Sequence, residues 1–308
     1  WYRADTKNQT FDPSLPPSSS YTTIYLQTGH VRNTGVELSL GYDNQWRDFR
    51  WATNFTYSWN KNEIVELVHN YVHPETGELI TKERLEIKGL GKAKYILKPG
   101  GTLGDLYTNS DLVYNDDGYI EVDKNGNVAV KDDYMDDIYL GSVFPKYNLA
   151  WRNDFNYKGI NLGVLFTARI GGICYSATQA NMDLYGVSEA SAAARDAGGV
   201  MINGRDMIDA QKWYQVIGSQ SGLPQYYTYS ATNVRLQELS LGYTLPSKWF
   251  RDKMRMTVSF VGRNLWMIYC KAPFDPEAVA STGMNYQGID YFMMPSMRNL
   301  GFNVKFQF

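Results

Sequence analysis

The end of the chain alternates strictly between apolar and other positions. From residue 300 onward every even position is apolar, and the odd positions carry no large apolar side chain; the even ones are Leu300, Phe302, Val304, Phe306 and Phe308. Successive side chains of a strand point to opposite faces, so this pattern predicts a β-strand with one apolar and one polar face. A half-buried strand of a soluble sandwich would look the same.

The same alternation recurs along the chain and predicts eight strands in all. The sixth changes parity between Leu236 and Leu239, and a β-bulge near residues 237–238 would reconcile the two leucines. The number of matching stretches favours the wall of a membrane β-barrel. The predicted strands cover residues 1–7, 33–42, 49–59, 146–157, 160–170, 234–245, 254–263 and 298–308.

The predicted connections alternate between short and long. The short ones are residues 43–47, residues 158–159 and a turn containing Trp249, whereas the long ones, such as residues 8–29, each span tens of residues. Outer-membrane barrels have this asymmetry, with short periplasmic turns and long extracellular loops. Strands of about eleven residues, tilted by about 40°, rise roughly 28 Å, close to the ~25 Å apolar band of such a barrel.

Composition agrees with this interpretation. The net charge is −2, from 30 basic and 32 acidic residues, so no basic surface for nucleic acid is expected. Mean hydropathy is −0.40, which alternating strands allow, and the chain has no apolar run long enough for a transmembrane helix. Aromatic residues make up 15% of the chain and cluster near both predicted strand ends, as interfacial belts do.

The long connections are predicted to contain structure of their own. Residues 120–130 have the pattern of a small hairpin with Asn125 and Gly126 as its turn. Two short helices are predicted further on, one over residues 188–199 and one over residues 206–217. These segments place local order in regions that connect the strands.

No catalytic or metal-binding set emerges from the residues. The histidines His30, His69 and His73 fall in predicted loops with no cysteine or carboxylate at metal spacing. The acidic loop around Asp123 lacks the glycine and glutamate positions of an EF-hand, so we favour a solvated loop over a calcium site, with calcium left open. We therefore expect no enzyme activity, no cofactor and no metal.

Cys174 and Cys270 are not expected to form a disulfide. Each lies just past a strand, and the two strands have one strand between them, which gives roughly 10 Å against a ~7 Å Cα limit. Loops could close that gap, so the possibility stays open.

Several stretches resemble the C-terminal part of the SusC/RagA group of TonB-dependent outer-membrane transporters of Bacteroidetes. The matching stretches are residues 33–38, 234–246, 262–265 and 274–277, then Gly301 with Phe302 and the terminal Phe308. The resemblance implies that residues 1–308 are the last eight or so strands of a barrel of about twenty-two strands around an N-terminal plug. We expect the end strands to pair with strands outside this chain. The chain departs from the family at residues 230–233, where the usual acidic and aromatic residues are replaced.

The resemblance also implies a function. The family imports glycans or oligopeptides across the outer membrane, powered by TonB and helped by a surface lipoprotein of the SusD type. This chain is thus expected to contact outer-membrane lipid, such a lipoprotein and its substrate, with TonB acting through the missing plug. A passive porin or a surface-binding barrel without TonB coupling is the alternative, and the residues that precede Trp1 would decide between them.

Candidate binding residues come from two regions. Aromatic side chains of the second large loop could stack on sugars or grip a peptide or partner, with packing inside the loop as the alternative; they are Trp213, Tyr214, Tyr226 and Tyr227. Arg169 and Arg263 belong to a polar set expected to line the lumen, with simple solvation of the wall as the alternative. The full set is Arg50, Asn54, Arg152, Asp154, Asn161, Arg169, Arg235, Arg255, Arg263 and Lys305.

Overall fold

One antiparallel sheet of eight strands, arranged in chain order, organises the molecule. The computed structural model describes residues 1–11, 26–72, 77, 79–132, 137–283 and 286–308. The strands are β1 (Tyr2–Phe11), β2 (Leu26–Trp46), β3 (Phe49–Glu66), β4 (Tyr147–Tyr157), β5 (Ile160–Ile170), β6 (Asn233–Thr244), β7 (Arg255–Cys270) and β8 (Asn299–Gln307). The predicted number of strands is confirmed, and β1 and β8 form the two edges of this sheet.

The register of strand pairing keeps the apolar residues of neighbouring strands on the same face of the sheet. Paired residues of neighbouring strands share a face of the sheet, so each row of partners is either apolar or mostly polar. One apolar row contains Leu40, Phe55, Trp151, Phe166, Leu236 and Trp266. The neighbouring row on the other face contains Asn54, Arg152, Leu165, Glu238 and Arg263.

The predicted bulge in β6 is confirmed. Pairing with β5 steps from Leu165–Glu238 to Phe166–Leu236, so Gln237 is the extra residue. The pairing of β6 with β7 also shifts register at this point, from Leu236–Trp266 to Glu238–Arg263. The extra residue restores the parity, because it lets apolar residues before and after it reach the same face.

Two polar residues, Thr53 and Asn153, interrupt the apolar face. They are direct cross-strand partners on β3 and β4. The indole N–H of Trp51 donates to Asn153 Oδ1 at 3.1 Å, and that of Trp151 donates to Thr53 Oγ1 at 3.0 Å. Each polar side chain is therefore satisfied by a neighbouring aromatic side chain of the same face.

Several strands run further than the sequence predicted. The turn between β2 and β3 is only Arg47 and Asp48, rather than residues 43–47, because Asp43–Trp46 continue to pair with β3. The loop predicted over residues 8–29 is also shorter, since β1 extends to Phe11 and β2 starts at Leu26; residues 12–25 lie outside the described residues. Polar side chains misled the prediction here, because main-chain pairing with a neighbouring strand does not require apolar residues.

The other two turns differ in length. Lys158 and Gly159 form the tight turn between β4 and β5 as predicted, both with positive φ, 46° and 88°. The turn between β6 and β7 spans residues 245–254 and contains a 3₁₀ turn, Ser247–Phe250.

Short elements fill the long connections. The connection from β3 to β4 contains strands Val68–Val72, Leu79–Lys82, Leu85–Ile87, Lys94–Leu97, Asp105–Thr108, Asp111–Leu112, Val130–Lys131 and Ile138–Ser142. The connection from β5 to β6 contains strands Ile173–Ser176, Val200–Ile202, Asp206–Ile208 and Thr228–Ser230, helices α1 (Ala177–Leu184), α2 (Glu189–Asp196) and α3 (Ala210–Ile217), and a 3₁₀ turn, Pro224–Tyr227. The last connection contains strand Ile289–Asp290.

The helix predictions are partly confirmed. Ser188 caps α2 by accepting from the N–H of Ser191, as its position before the helix predicted. The helix predicted over residues 206–217 starts only at Ala210, because residues 206–208 pair as a strand and Asp209 caps the helix. Helix α1 was missed. In the described part of the chain, no helix has both the length and the apolar character needed to cross a membrane.

Two histidine placements are corrected. His30 lies in β2, with its Nε2 2.8 Å from Asp5 Oδ1, and His69 lies in strand Val68–Val72, so neither is a loop residue. His73 lies outside the described residues. Cys174 and Cys270 are both free thiols, and burial raises the pKa of Cys174 to about 12.

Candidate functional site at the long-loop end

Three long connections pack together at one end of the sheet into a single body. We call this body the loop unit; its described residues are 67–72, 77, 79–132, 137–146, 171–232, 271–283 and 286–298. Its buried apolar cluster draws on all three connections, with Leu97, Leu223 and Ile289 among its fully buried members. Among the described residues of that cluster, only Val31 and Ile64 come from the sheet. The loop unit therefore has a hydrophobic core of its own.

Hydrogen bonds join the last connection to the other two, through main-chain pairing with the second and a tyrosine hydroxyl of the first. Strand Ile173–Ser176 pairs in parallel with Ile289–Asp290, and the N–H of Tyr175 donates to the carbonyl of Gly288 at 2.9 Å. The hydroxyl of buried Tyr95 donates to the carbonyl of Gln287. The last connection is thus held between the first and the second.

The first and second connections also meet directly. The N–H of Lys92 donates to the carbonyl of Gln220 at 3.2 Å. Gly91, at φ +62°, lies so close that an added Cβ would stand 1.7 Å from the same carbonyl oxygen. Gln225 donates its amide to Asp111 Oδ1 at 2.8 Å. Both the backbone conformation and the close approach require glycine at position 91.

The aromatic candidates lie mainly inside the loop unit. Trp213 is 7% exposed and Tyr227 is 2% exposed, so these two side chains pack inside the loop, which was the alternative to a binding role. Helix α3 turns Ala210, Trp213 and Ile217 toward the core. Tyr226 packs edge-on against Trp213, with ring centroids 5.8 Å apart, and like Tyr214 it is half-buried. A binding role for Tyr214 and Tyr226 stays a prediction.

The two arginine candidates lie in different surroundings from these aromatic side chains. Arg169, near the end of β5, donates to the carbonyl of Val143 at 3.4 Å and so reaches the loop unit. Arg263 is exposed on the polar face of the sheet and bonds Glu238 at 3.0 Å. Arg152 approaches the same carboxylate at 3.5 Å. The structure therefore does not bring the predicted site residues together into one site.

A buried ionic cluster around Arg235 joins the sheet to the loop unit. Arg235 is 5% exposed and its guanidinium donates to both carboxylate oxygens of Asp275, at 2.9 and 3.2 Å. Asn233 Oδ1 also accepts from Arg235 at 3.1 Å, and Glu277 lies 3.4 Å away. Burial acts to raise the pKa of Asp275, but the hydrogen bonds from Arg235 and Ser296 hold it below its usual value.

This cluster corrects one prediction and explains the pattern of the sequence motifs. Arg235 was expected to line the lumen, but the chain after β7 folds back over it and removes it from solvent. Asn264 accepts from Arg235 as well, at 3.4 Å. Three of the stretches that carry the family resemblance, residues 234–246, 262–265 and 274–277, thus meet at one guanidinium group. The arginine and the Asp-Pro-Glu stretch are visible in the sequence and could have suggested an ion pair. The sequence does not show that these two groups meet.

The acidic loop forms its own internal bonds. Asp123 Oδ1 accepts from the backbone N–H groups of Asn125 and Asn127, both at 2.8 Å, which closes the turn of the predicted hairpin. The bridge between Val122 and Val128 confirms that hairpin. In the part of the chain that the structure describes, no group of three or more potential metal ligands occurs; residues 133–136, with two of the acidic side chains, lie outside it.

The geometry defines the class of protein. An antiparallel sheet with one apolar face, short turns at one end and a large folded body at the other is a section of a transmembrane β-barrel wall. No protein-family model matches the chain. The TonB-dependent receptors P3 and P39 of Formosa agariphila are 24% and 22% identical to it over 99% of its length. The chain spans 32% and 33% of these two relatives.

Solved structures show the same fold. The RagAB peptide transporter matches with a TM-score of 0.63 at 18% identity, over 99% of this chain and 32% of that one. The RagAB peptide importer in its closed-closed state matches with a TM-score of 0.62 at 17% identity, over 99% and 32%. These comparisons confirm the resemblance to TonB-dependent transporters that the sequence motifs predicted.

Proposed function

We propose that this chain forms the C-terminal part of the barrel of an outer-membrane transporter that imports oligomeric nutrients, powered by TonB. The observation that carries the proposal is the combination of a barrel-wall sheet with a separately folded loop unit. The similarity to TonB-dependent receptors over 99% of the chain supports it. The plug on which TonB would act would lie outside this chain, which spans 32% and 33% of those relatives.

The polar face of the sheet suits a hydrated passage. Arg152, Glu238 and Arg263 form a row of linked charges across β4, β6 and β7. Oppositely charged groups of this kind tolerate water and hydrophilic solutes without attracting one sign of ion strongly. A glycan or an oligopeptide is the substrate class that this lining supports.

The loop unit is the proposed docking surface for a substrate-capturing lipoprotein of the SusD type. Large apolar side chains are exposed on it although its core is well filled, and they are the groups that we propose the lipoprotein covers. They include Tyr185, Val187, Met201, Met207, Phe292 and Met294. A stable interface buries about 1,600 Å² in total, which a body of this size can offer.

A passive porin or lone surface-binding barrel is the alternative function. A pore mouth needs no body with its own hydrophobic core and exposed methionines, so the loop unit favours the transporter. Uptake measurements separate the two, because import by a transporter should stop in cells that lack TonB whereas passage through a porin should continue.

Partner binding can be tested without damaging the loop unit. Deleting residues 206–217 would remove core helix α3, so exposed positions are better choices. We expect the double change Phe292→Ser and Met294→Ser to reduce co-purification of the lipoprotein from outer membranes in mild detergent. Trp249→Ser is the matched control, because Trp249 is 70% exposed but lies at the opposite, short-turn end. A transporter that purifies alone and imports without a partner would contradict the docking proposal.

A further inference from the structure

A basic segment stands out on the loop unit. Residues 82–98 contain six lysine or arginine residues and two glutamates, a net charge of +4 in a chain whose total is −2. They border a groove of about 540 Å³ whose lining includes Lys82, Arg84, Lys88 and Lys92. Lys92 pairs with Asp132 at 2.7 Å and Lys94 with Glu86 at 3.2 Å, so part of this charge is compensated within the loop unit. The net positive charge that remains in a concave surface attracts anions more strongly than scattered charges do.

A strand at the edge of a sheet contributes to the lining of this groove, through Leu85 and Glu86. Strand Leu85–Ile87 is the terminal strand of a four-stranded sheet and pairs with Lys94–Leu97 on one side. Within the described ranges, which leave out residues 73–76, 78 and 133–136, no main-chain hydrogen bond reaches this strand from its other side. Such an edge presents N–H and C=O groups to which an extended peptide can pair.

The side chains of this edge form a charge pattern. Leu85 and Ile87 point into the core, whereas Arg84, Glu86 and Lys88 lie on the exposed face. The guanidinium of Arg84 forms ion pairs with Glu86, at 3.2 Å, and with Asp137, at 3.0 Å. Lys88 is exposed and forms no ion pair with any described residue. The exposed face of this strand therefore carries a positive, a negative and a positive side chain at alternate residues.

We propose that this edge and groove bind an extended acidic peptide, and this inference rests on the proposed function of nutrient uptake. The peptide would add a strand beside Leu85–Ile87, with its side chains directly opposite those of the edge. Opposite charges across strands stabilise pairing and like charges oppose it. The preferred ligand thus carries acids opposite Arg84 and Lys88 and a neutral residue opposite Glu86, a five-residue pattern of acid, any, neutral, any, acid.

The edge favours a peptide over an acidic oligosaccharide. A uronic-acid chain offers carboxylates, but it lacks the repeating N–H and C=O groups that match a strand edge. A peptide satisfies both the main-chain groups and the charges. Methylating the amide nitrogens of the peptide removes the first interaction and keeps the second, which makes the two separable.

Binding can be measured by fluorescence anisotropy on the transporter purified from outer membranes in mild detergent. The probe is a labelled, end-blocked Glu-Val-Thr-Val-Glu peptide. A central glutamate, as in Glu-Val-Glu-Val-Glu, should weaken binding about threefold, and so should Lys88→Gln, since each alters one cross-strand pair. Lys124→Gln, an exposed lysine elsewhere on the loop unit, should leave binding unchanged.

A charge exchange gives the sharpest outcome. Lys88→Glu should weaken the probe roughly tenfold, because it replaces an attractive pair with a repulsive one. One of the two peptides with a single terminal lysine, Lys-Val-Thr-Val-Glu or Glu-Val-Thr-Val-Lys, should then recover the lost binding. Which one recovers it reports whether the added strand is antiparallel or parallel.

Any of three results would overturn the proposal. The first is that the N-methylated probe binds as tightly as the unmethylated one, the second that trigalacturonate competes as well as the unlabelled peptide, and the third that Lys88→Glu leaves binding of the probe unchanged. The assay requires neither TonB nor transport. Failure of the proposed function would instead appear as TonB-independent uptake in cells, so the two failures are distinguishable.

Discussion

The sheet and the loop unit place their apolar side chains in opposite locations. In the sheet, Phe302 is 81% exposed and Leu241 is 55% exposed, on a face that continues from β2 to β8. In the loop unit, Leu223 and Tyr95 are 0% and 1% exposed. The same chain thus contains one region with apolar residues outside and one with apolar residues inside. The difference follows from the solvent, because a barrel wall faces lipid whereas a folded loop faces water.

The two regions are also stabilised by different interactions. The sheet is held by continuous main-chain pairing between neighbours in sequence, and its apolar surface requires the lipid. The loop unit is held by side-chain burial between segments that are distant in sequence. Arg235 is one of several places where the two regions are joined, and because its ion pair is buried it provides a direct test of their dependence on each other.

The largest expected effect is that of Arg235→Ala. Removing the guanidinium leaves Asp275 buried without its partner, which typically costs about 3–5 kcal/mol. We expect residues 271–283 to lose protection in hydrogen exchange while the strands of the sheet keep theirs. The double change Arg235→Met and Asp275→Leu is the control, because replacing a buried pair by apolar side chains is often nearly neutral. Unchanged exchange in the single variant would show that the cluster does not join the two regions.

The next effect tests the facing of the sheet. Val304→Arg should cost about 2–4 kcal/mol in folding measurements in lipid, because it places a charge on the lipid face, whereas Asn303→Arg should be nearly silent. The partners of these residues on β7, Val258 and Ser259, have the same difference in character. Equal penalties would contradict the assignment of the two faces.

The smallest effect concerns the packing of loops against each other. Gly91→Ala should destabilise the loop unit by more than the roughly 1–2 kcal/mol of left-handed strain, because the new Cβ meets Gln220. Gly126→Ala is a close control: its φ is +72°, but nothing lies within 4 Å of its added Cβ. Thermal unfolding, monitored by hydrogen exchange in the loop unit, should show a larger destabilisation for Gly91→Ala than for Gly126→Ala. The same loss in both would mean that the approach of Gly91 to Gln220 does not matter.

The parts of the fold that depend on local periodicity could be predicted from the sequence. The eight strands, their two faces, the bulge at Gln237, the turn at Lys158 and the cap of α2 at Ser188 all follow from neighbouring residues. Each requires only that side chains alternate along a strand, or that a polar side chain reach a nearby N–H group. The family motifs added the resemblance that the comparisons then confirmed.

The packing of the long connections could not be predicted in the same way, because it depends on contacts between distant segments. Burial of Trp213 depends on segments far away in the chain, as does the cluster that brings Arg235 to Asp275, forty positions later. The open edge at Leu85–Ile87 is likewise defined by which strands pair and which do not. Alternation gives no information about such contacts, because the free energy of burial depends on which surfaces meet and not on their order in sequence.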